Sequence, residues 1–153
     1  MTTMTIVDVV NILYPGQVEL KNVIFGQDGN NPIFILSWNI PDVPEPTVEW
    51  LEAQIPSLQA QFDLSYFVSV GTPQLVAYID SVAQQRQYND TLSCISYLNS
   101  SVDTWKQEAQ VFSAWRDSVY TYVIAQEALM QSGQRPIPSF ETFKTELPVI
   151  TWP

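Results

Sequence analysis

Hydrophobic and polar positions follow two different periods along this chain. In the first part, apolar residues come in short runs or alternate with polar ones, which is typical of β-strands. In the second part they recur every three to four residues, which is typical of amphipathic helices. The change falls near Gly71–Pro73, so we predict a β-rich N-terminal domain over residues 1–73 and a helical C-terminal domain over residues 74–153. The predicted fold class is α+β: a small antiparallel β N-terminal part, then an α-helical C-terminal part with one long amphipathic helix.

The N-terminal part predicts a first strand and a β-hairpin. Residues 6–13 are rich in Val and Ile, which favours a strand. Residues 18–26 and 33–40 are predicted to pair, because the segment between them is rich in Gly, Asn and Asp, the residues of tight turns. The sheet is expected to stop at the prolines that begin with Pro41.

A short helix is predicted after the hairpin. Thr47 is a suitable N-cap, and Glu49 and Glu52 favour the positive end of the helix dipole. Pro56 is expected to end this helix. We interpret these acids as charges of a helix start rather than as a functional patch.

Helix-start signals divide the C-terminal part. Thr72–Pro73 has the chemistry of a helix start, and Asn89 or Asp90 can cap a second, short helix. A last short helix is predicted over residues 140–146.

The longest predicted helix runs from Asp103 to about Gln131, with Gly133 as its stop. Arg116 and Asp117 within it are predicted to form a surface ion pair, a buried anchor being the alternative. Its apolar stripe, predicted to face the core, consists of Trp105, Ala109, Phe112, Trp115, Val119, Tyr122, Val123 and Leu129.

Composition and charge narrow the range of partners. The chain has 16 acids against 6 bases, a net charge of −10, which argues against a nucleic acid partner. Residues 1–73 hold eight of the acids and one base, Lys21. Charged residues make up 14% of the chain, whereas roughly 25% is usual for a soluble domain. With 12% aromatic residues, this composition favours a protein-contact surface.

The sequence offers little catalytic chemistry. It contains no histidine, the commonest general base and zinc ligand. Its one cysteine, Cys94, lies in an apolar helical segment and is predicted to be a core residue. We therefore expect no enzyme activity, no cofactor and no metal site. No apolar run approaches the roughly 20 residues needed to cross a bilayer, so we also expect no membrane partner.

Residues 78–153 resemble small tailed-phage proteins of the tail-fibre assembly, or fibre chaperone, family. Residues 1–73 match no motif of that family. The resemblance rests on five segments in order: Arg86-Gln-Tyr88-Asn-Asp90, Ser93-Cys-Ile-Ser-Tyr97-Leu-Asn-Ser100, Ala114-Trp-Arg-Asp117-Ser-Val119, Pro136-Ile-Pro138, and Leu147-Pro148 with Trp152-Pro153.

The resemblance implies a non-enzymatic protein that binds a trimeric tail fibre and assists its folding or capping. Such a protein acts in the host cytoplasm during assembly and is expected on the tail fibre of the virion. The alternative is a structural tail component, a fibre connector or baseplate adaptor with no chaperone role. Self-association is a further open possibility.

Five residues are candidates for partner contact because they carry the family motifs. Trp115, Arg116 and Asp117 form the central motif, and Trp152 and Pro153 form the terminal one. The competing interpretation is structural: helix packing for the first three and a docked tail for the last two.

Overall fold

The computed structural model describes residues 3–153 and confirms the predicted α+β order. A two-stranded antiparallel sheet lies near the N-terminus, and most of the remaining chain is helical. The elements are α1 (Ile6–Leu13), β1 (Val23–Gly26), β2 (Phe34–Trp38), α2 (Val48–Gln84), α3 (Thr91–Ile95), a 3-10 helix (Ser96–Asn99), α4 (Asp103–Gln131) and α5 (Phe140–Lys144).

The predicted strand over residues 6–13 is wrong, because this segment forms α1. Thr5 and Asp8 form a capping box in which the backbone N–H of Thr5 donates to Asp8 Oδ2 at 2.8 Å. Val9 and Val10 are fully buried. The capping box and the helical spacing of the buried side chains outweigh the β-propensity of Val and Ile.

The predicted hairpin is confirmed in a shorter form. β1 pairs with β2 in antiparallel register, with a bulge between Ile24 and Phe25. The expected N-terminal extension of β1 is wrong, because residues 15–22 form turns in which Lys21 adopts a positive φ of 60°. The chain there folds back on itself instead of pairing with β2.

Helix α2 is one continuous helix where two were predicted. Thr47 is confirmed as its cap, since Thr47 Oγ1 accepts from the backbone N–H of Trp50 at 3.1 Å. The expected stop at Pro56 and the expected start at Thr72–Pro73 are both wrong. Proline inside a helix costs about 3 kcal/mol, so burial of other α2 side chains must offset it.

Those side chains belong to two compact units, Met1–Asp63 and Leu64–Pro153. Leu51 of α2 is fully buried in the core of the first unit, and Ile79 of α2 is buried in the core of the second. The division therefore falls inside α2, N-terminal to the predicted boundary near Gly71–Pro73.

The helices of the second unit follow their sequence signals. Asp90 caps α3, accepting from the backbone N–H of Ser93 at 2.7 Å. Helix α4 has the predicted bounds, and Gly133 after it adopts a φ of +71°. Helix α5 begins at the predicted residue and ends at Lys144, slightly early. Two residues of the predicted stripe are misplaced: Trp105 is 47% exposed and Leu129 is 36% exposed, so neither lies in the core.

Candidate functional site

The C-terminal tail is docked within the second unit. The Trp152 ring stacks on the Phe112 ring, with centroids 5.9 Å apart and planes inclined by 11°. The Arg86 guanidinium lies 5.4 Å from the centroid of the Trp152 ring. Its Nη2 donates to the carbonyl of Pro153 at 3.4 Å. The structure thus gives both terminal candidate residues intramolecular contacts.

Trp115, the first residue of the central motif, is a core residue. Its side chain is 6% exposed and contacts Phe112, with ring centroids 5.5 Å apart. Its Nε1 donates to the carbonyl of Pro148 at 2.8 Å. This hydrogen bond holds the extended tail against α4, which explains why a tryptophan suits this position.

Arg116 and Asp117 form the surface pair that the sequence predicted. Arg116 Nη2 lies 2.9 Å from Asp117 Oδ1, and the Asp117 side chain is 65% exposed. An ion pair in this setting contributes at most about 1 kcal/mol to stability. Both side chains reach the surface, so their contact with a partner stays a prediction.

A buried carboxylate that the sequence analysis missed lies near the start of α4. Glu108 is 9% exposed, and its Oε2 accepts from the Tyr88 hydroxyl at 2.8 Å. Arg86 Nε lies 3.7 Å from Glu108 Oε1. Burial, followed by the hydrogen bond to Glu108, raises the pKa of the Tyr88 hydroxyl. The available signal was the position of Glu108 within the apolar stripe of α4, between Trp105 and Phe112.

A second charged cluster joins the end of α4 to the segment after α5. Arg135 Nη2 lies 2.6 Å from Glu146 Oε2, and the Tyr122 hydroxyl donates to the same oxygen at 2.7 Å. The hydrogen bonds from Tyr122 and then Arg135 lower the pKa of Glu146. The cluster has a structural explanation, because every member contacts another.

The hairpin of the first unit exposes an apolar surface. Three large side chains share one side of the sheet: Ile24 is 43% exposed, Phe34 42% and Leu36 62%. A Cβ atom on Gly26 would lie 2.7 Å from Phe34 Cζ and 3.0 Å from Leu36 Cδ1. The absence of a side chain at position 26 therefore lets these two side chains lie over the strand. We call Ile24, Phe34 and Leu36 the outer hairpin face.

This face has two further properties of a contact surface. In the described part of the chain, each strand of the sheet pairs only with the other, so each has an outer edge without a β-strand partner. The first unit also holds eight acids and one base, Lys21, a net charge of −7. An apolar face within an acidic unit suits a partner with a complementary apolar patch and a basic rim.

The remaining chemistry of the described residues is sparse. Cys94 is fully buried, which confirms its predicted place in the core, and burial raises the pKa of its thiol to about 11. No group of three or more acidic, cysteine or histidine side chains within residues 3–153 could hold a metal ion. In the same residues, no helix has the length and apolarity of a membrane span.

Comparison with known proteins gives one match. Searches of curated proteins and of solved structures found none. The family model of the XkdW protein matches residues 6–62, which include the outer hairpin face and lie outside the segment that resembles tail-fibre assembly proteins. Because this family is phage-related, the match indicates a phage protein, associated with the virion or the infected cell.

Proposed function

We propose that this protein is a non-enzymatic tail-fibre assembly chaperone, or a fibre-associated virion protein, that binds the trimeric tail fibre. The observation that carries the proposal is the outer hairpin face, which lies within the segment that matches the phage family. Large apolar side chains gathered on one exposed surface are typical of protein interaction sites. The resemblance of residues 78–153 to fibre assembly proteins supports a fibre as the partner.

The physical demands of fibre assembly fit such a surface. Intertwined β-rich chains fold slowly through non-local contacts and leave strand edges exposed until the chains meet. A helper can cover such an edge by adding a strand, with main-chain hydrogen bonds supplying affinity and side chains supplying specificity. Strand β2 offers both an outer edge and two exposed side chains, Phe34 and Leu36.

The test is coexpression with the tail-fibre protein of the same phage. We expect soluble fibre trimers when both proteins are present, and insoluble or monomeric fibre when this chain is omitted. Leu36→Asp should reduce the trimer yield, because it places a charge on the outer hairpin face. Ile124→Asp is the matched control, since Ile124 in α4 is similarly exposed (66% against 62%) and lies in the second unit.

Two results would overturn the chaperone role. Equal trimer yields with and without this chain would exclude it. A fibre that folds alone but is missing from particles of a deletion phage would instead support the structural alternative, a connector or adaptor.

The role of the outer hairpin face has its own test. Equal losses of trimer yield in Leu36→Asp and Ile124→Asp would show that this face is not the contact with the fibre.

A further inference from the structure

A cleft in the second unit carries an inference that is independent of fibre binding. It has a volume of about 290 Å³ and lies between the end of α2, the segment of α3 and the 3-10 helix, and the start of α4. Its walls combine aromatic rings with side chains that donate and accept hydrogen bonds: Arg86, Tyr88, Asn89, Tyr97, Trp105 and Glu108. A cleft of this size admits a ligand no larger than one or two sugar rings.

One wall of the cleft is aromatic and open to solvent. The Tyr97 and Trp105 rings meet edge to face, with centroids 5.4 Å apart, and Tyr88 lies 5.6 Å from Tyr97. Trp105 is 47% exposed and Tyr97 is 36% exposed, so core packing leaves part of each side chain accessible to a ligand. Exposed indole and phenol rings combine an apolar face with a polar edge, which suits a ligand with both characters.

The polar part of the cleft is formed by the buried carboxylate of Glu108 and the neighbouring Arg86. Glu108 Oε2 is engaged by the Tyr88 hydroxyl, whereas Oε1 lies 3.7 Å from Arg86 Nε, beyond hydrogen-bond distance. A carboxylate accepts up to about four hydrogen bonds. Oε1 can therefore accept from a ligand hydroxyl while the neighbouring guanidinium donates to the next hydroxyl.

We propose that this cleft binds one pyranose residue of a neutral glycan. The ring's C–H face would lie on Trp105, and two adjacent hydroxyls would bridge Glu108 Oε1 and the Arg86 guanidinium. The charges of Arg86 and Glu108 offset each other, so the cleft favours an uncharged polar ligand. A cation in an aromatic cage is the competing ligand, but Arg86 opposes a second positive charge at Glu108.

The test follows the indole N–H resonances of ¹⁵N-labelled protein. Five tryptophans give five indole resonances, and Trp105→Phe identifies the one from Trp105. Methyl glycosides of glucose, galactose, mannose and N-acetylglucosamine are titrated singly, and a soluble polymer of any sugar that binds is then compared with the monomer. We expect at least one glycoside to shift the Trp105 resonance saturably. Tighter binding of the polymer would identify a surface polysaccharide as the source, and equal binding per ring a free sugar.

Matched variants distinguish binding in the cleft from nonspecific binding elsewhere on the protein. Trp105→Ala should abolish saturable binding, whereas Trp50→Ala should preserve it, because Trp50 is equally exposed (45%) but lies in the first unit. Glu108→Gln should weaken binding by about tenfold, the loss of one hydrogen bond to a charged group. Circular dichroism melts establish that each variant is folded.

Three results would overturn the proposal. The first is no saturable shift of the Trp105 resonance with any of the four glycosides. The second is a saturable shift with tetramethylammonium chloride in place of the glycosides, which would assign the cleft to a cation. The third is binding that survives Trp105→Ala.

Discussion

The Trp152 ring stacks nearly parallel on the Phe112 ring, and its Nε1 is buried without a hydrogen-bond partner among the described residues. Trp115 contacts the same phenyl ring but donates its Nε1 hydrogen to the Pro148 carbonyl. Two tryptophans on one phenylalanine therefore stabilise the second unit in different ways. Trp152 acts through contacts of its ring with Phe112 and with the Arg86 guanidinium, and Trp115 acts through apolar contact together with a hydrogen bond.

Trp152→Ala is expected to lower the free energy of unfolding by about 2–4 kcal/mol, because it leaves a cavity beside Phe112. Trp152→Phe should cost less than about 1 kcal/mol, since it keeps an aromatic ring and removes an unpaired donor. Urea denaturation followed by circular dichroism measures both. An unchanged stability in Trp152→Ala would show that the tail is not docked in solution, and together with a loss of partner binding it would move Trp152 to the partner interface.

Trp115→Phe should lower the free energy of unfolding more than Trp152→Phe does, although both variants replace a tryptophan by a phenylalanine. The Trp115 variant leaves the carbonyl of Pro148 without its donor, which costs about 1–2 kcal/mol beyond the smaller ring. The same urea titrations compare the two variants directly. Equal losses of unfolding free energy in the two variants would mean that the Trp115 Nε1 hydrogen bond contributes nothing to stability.

The hydrogen bonds of Glu146 are expected to stabilise the folded protein at neutral pH and to lose this effect in acid. Its folded pKa lies below the ordinary value of 4.5, so the contribution is present above pH 4.5 and is lost as the pH falls through the folded pKa. Glu146→Gln should therefore be less stable than the wild type at pH 7, with the difference shrinking below pH 4.5. Melting temperatures between pH 2.5 and pH 7 measure this convergence, and a constant difference would contradict it.

The buried hydroxyl of Tyr88 is expected to make the stability of the protein depend on pH in the alkaline range. Its folded pKa is raised above the ordinary value of 10, mainly by burial. Its contribution to stability is therefore complete below pH 10 and is lost as the pH rises through the folded pKa. The absorbance at 295 nm of the wild type minus that of Tyr88→Phe should show less phenolate at pH 10.5 in the folded protein than an ordinary tyrosine gives. A difference signal of one ionised tyrosine at that pH would contradict the burial of this hydroxyl.

Because α2 is continuous, its two internal prolines, Pro56 and Pro73, are expected to be destabilising, and Pro73 provides the test. Pro73 lies inside the helix, so Pro73→Ala should raise the free energy of unfolding by about 1–3 kcal/mol. Pro41 lies outside the helices and strands, and Pro41→Ala should not stabilise the protein. Urea denaturation again decides, and a loss of stability in Pro73→Ala would mean that the helix breaks there.

Sequence patterns predicted the elements in which all local signals agree. Helix α4 has apolar residues at helical spacing along its length and a glycine after its last turn, so both of its bounds could be predicted. Helix α1 differs from the predicted strand because Val and Ile fit either structure, whereas the Thr5–Asp8 capping box favours a helix start. Helix α2 contradicts its own breakers, Pro56 and Gly71–Pro73, and only burial in two cores explains it.

The candidate surfaces depend on information that no local pattern contains. Alternation in the hairpin showed that two sides differ, but not that Phe34 and Leu36 lie on the uncovered one. Glu108 and Tyr88 are twenty residues apart, and their hydrogen bond follows from the turn after α2. The motif residue Trp115 was a good structural marker, because its indole holds the tail.

The single cysteine gives the protein a built-in reporter of its own fluctuations. Cys94 is fully buried, so an aromatic disulfide reagent can reach the thiol only when the surrounding helices separate. The rate of thiol labelling without denaturant therefore measures how often the second unit opens. Labelling in the presence and absence of a candidate partner would show whether binding suppresses this opening, with no engineered probe.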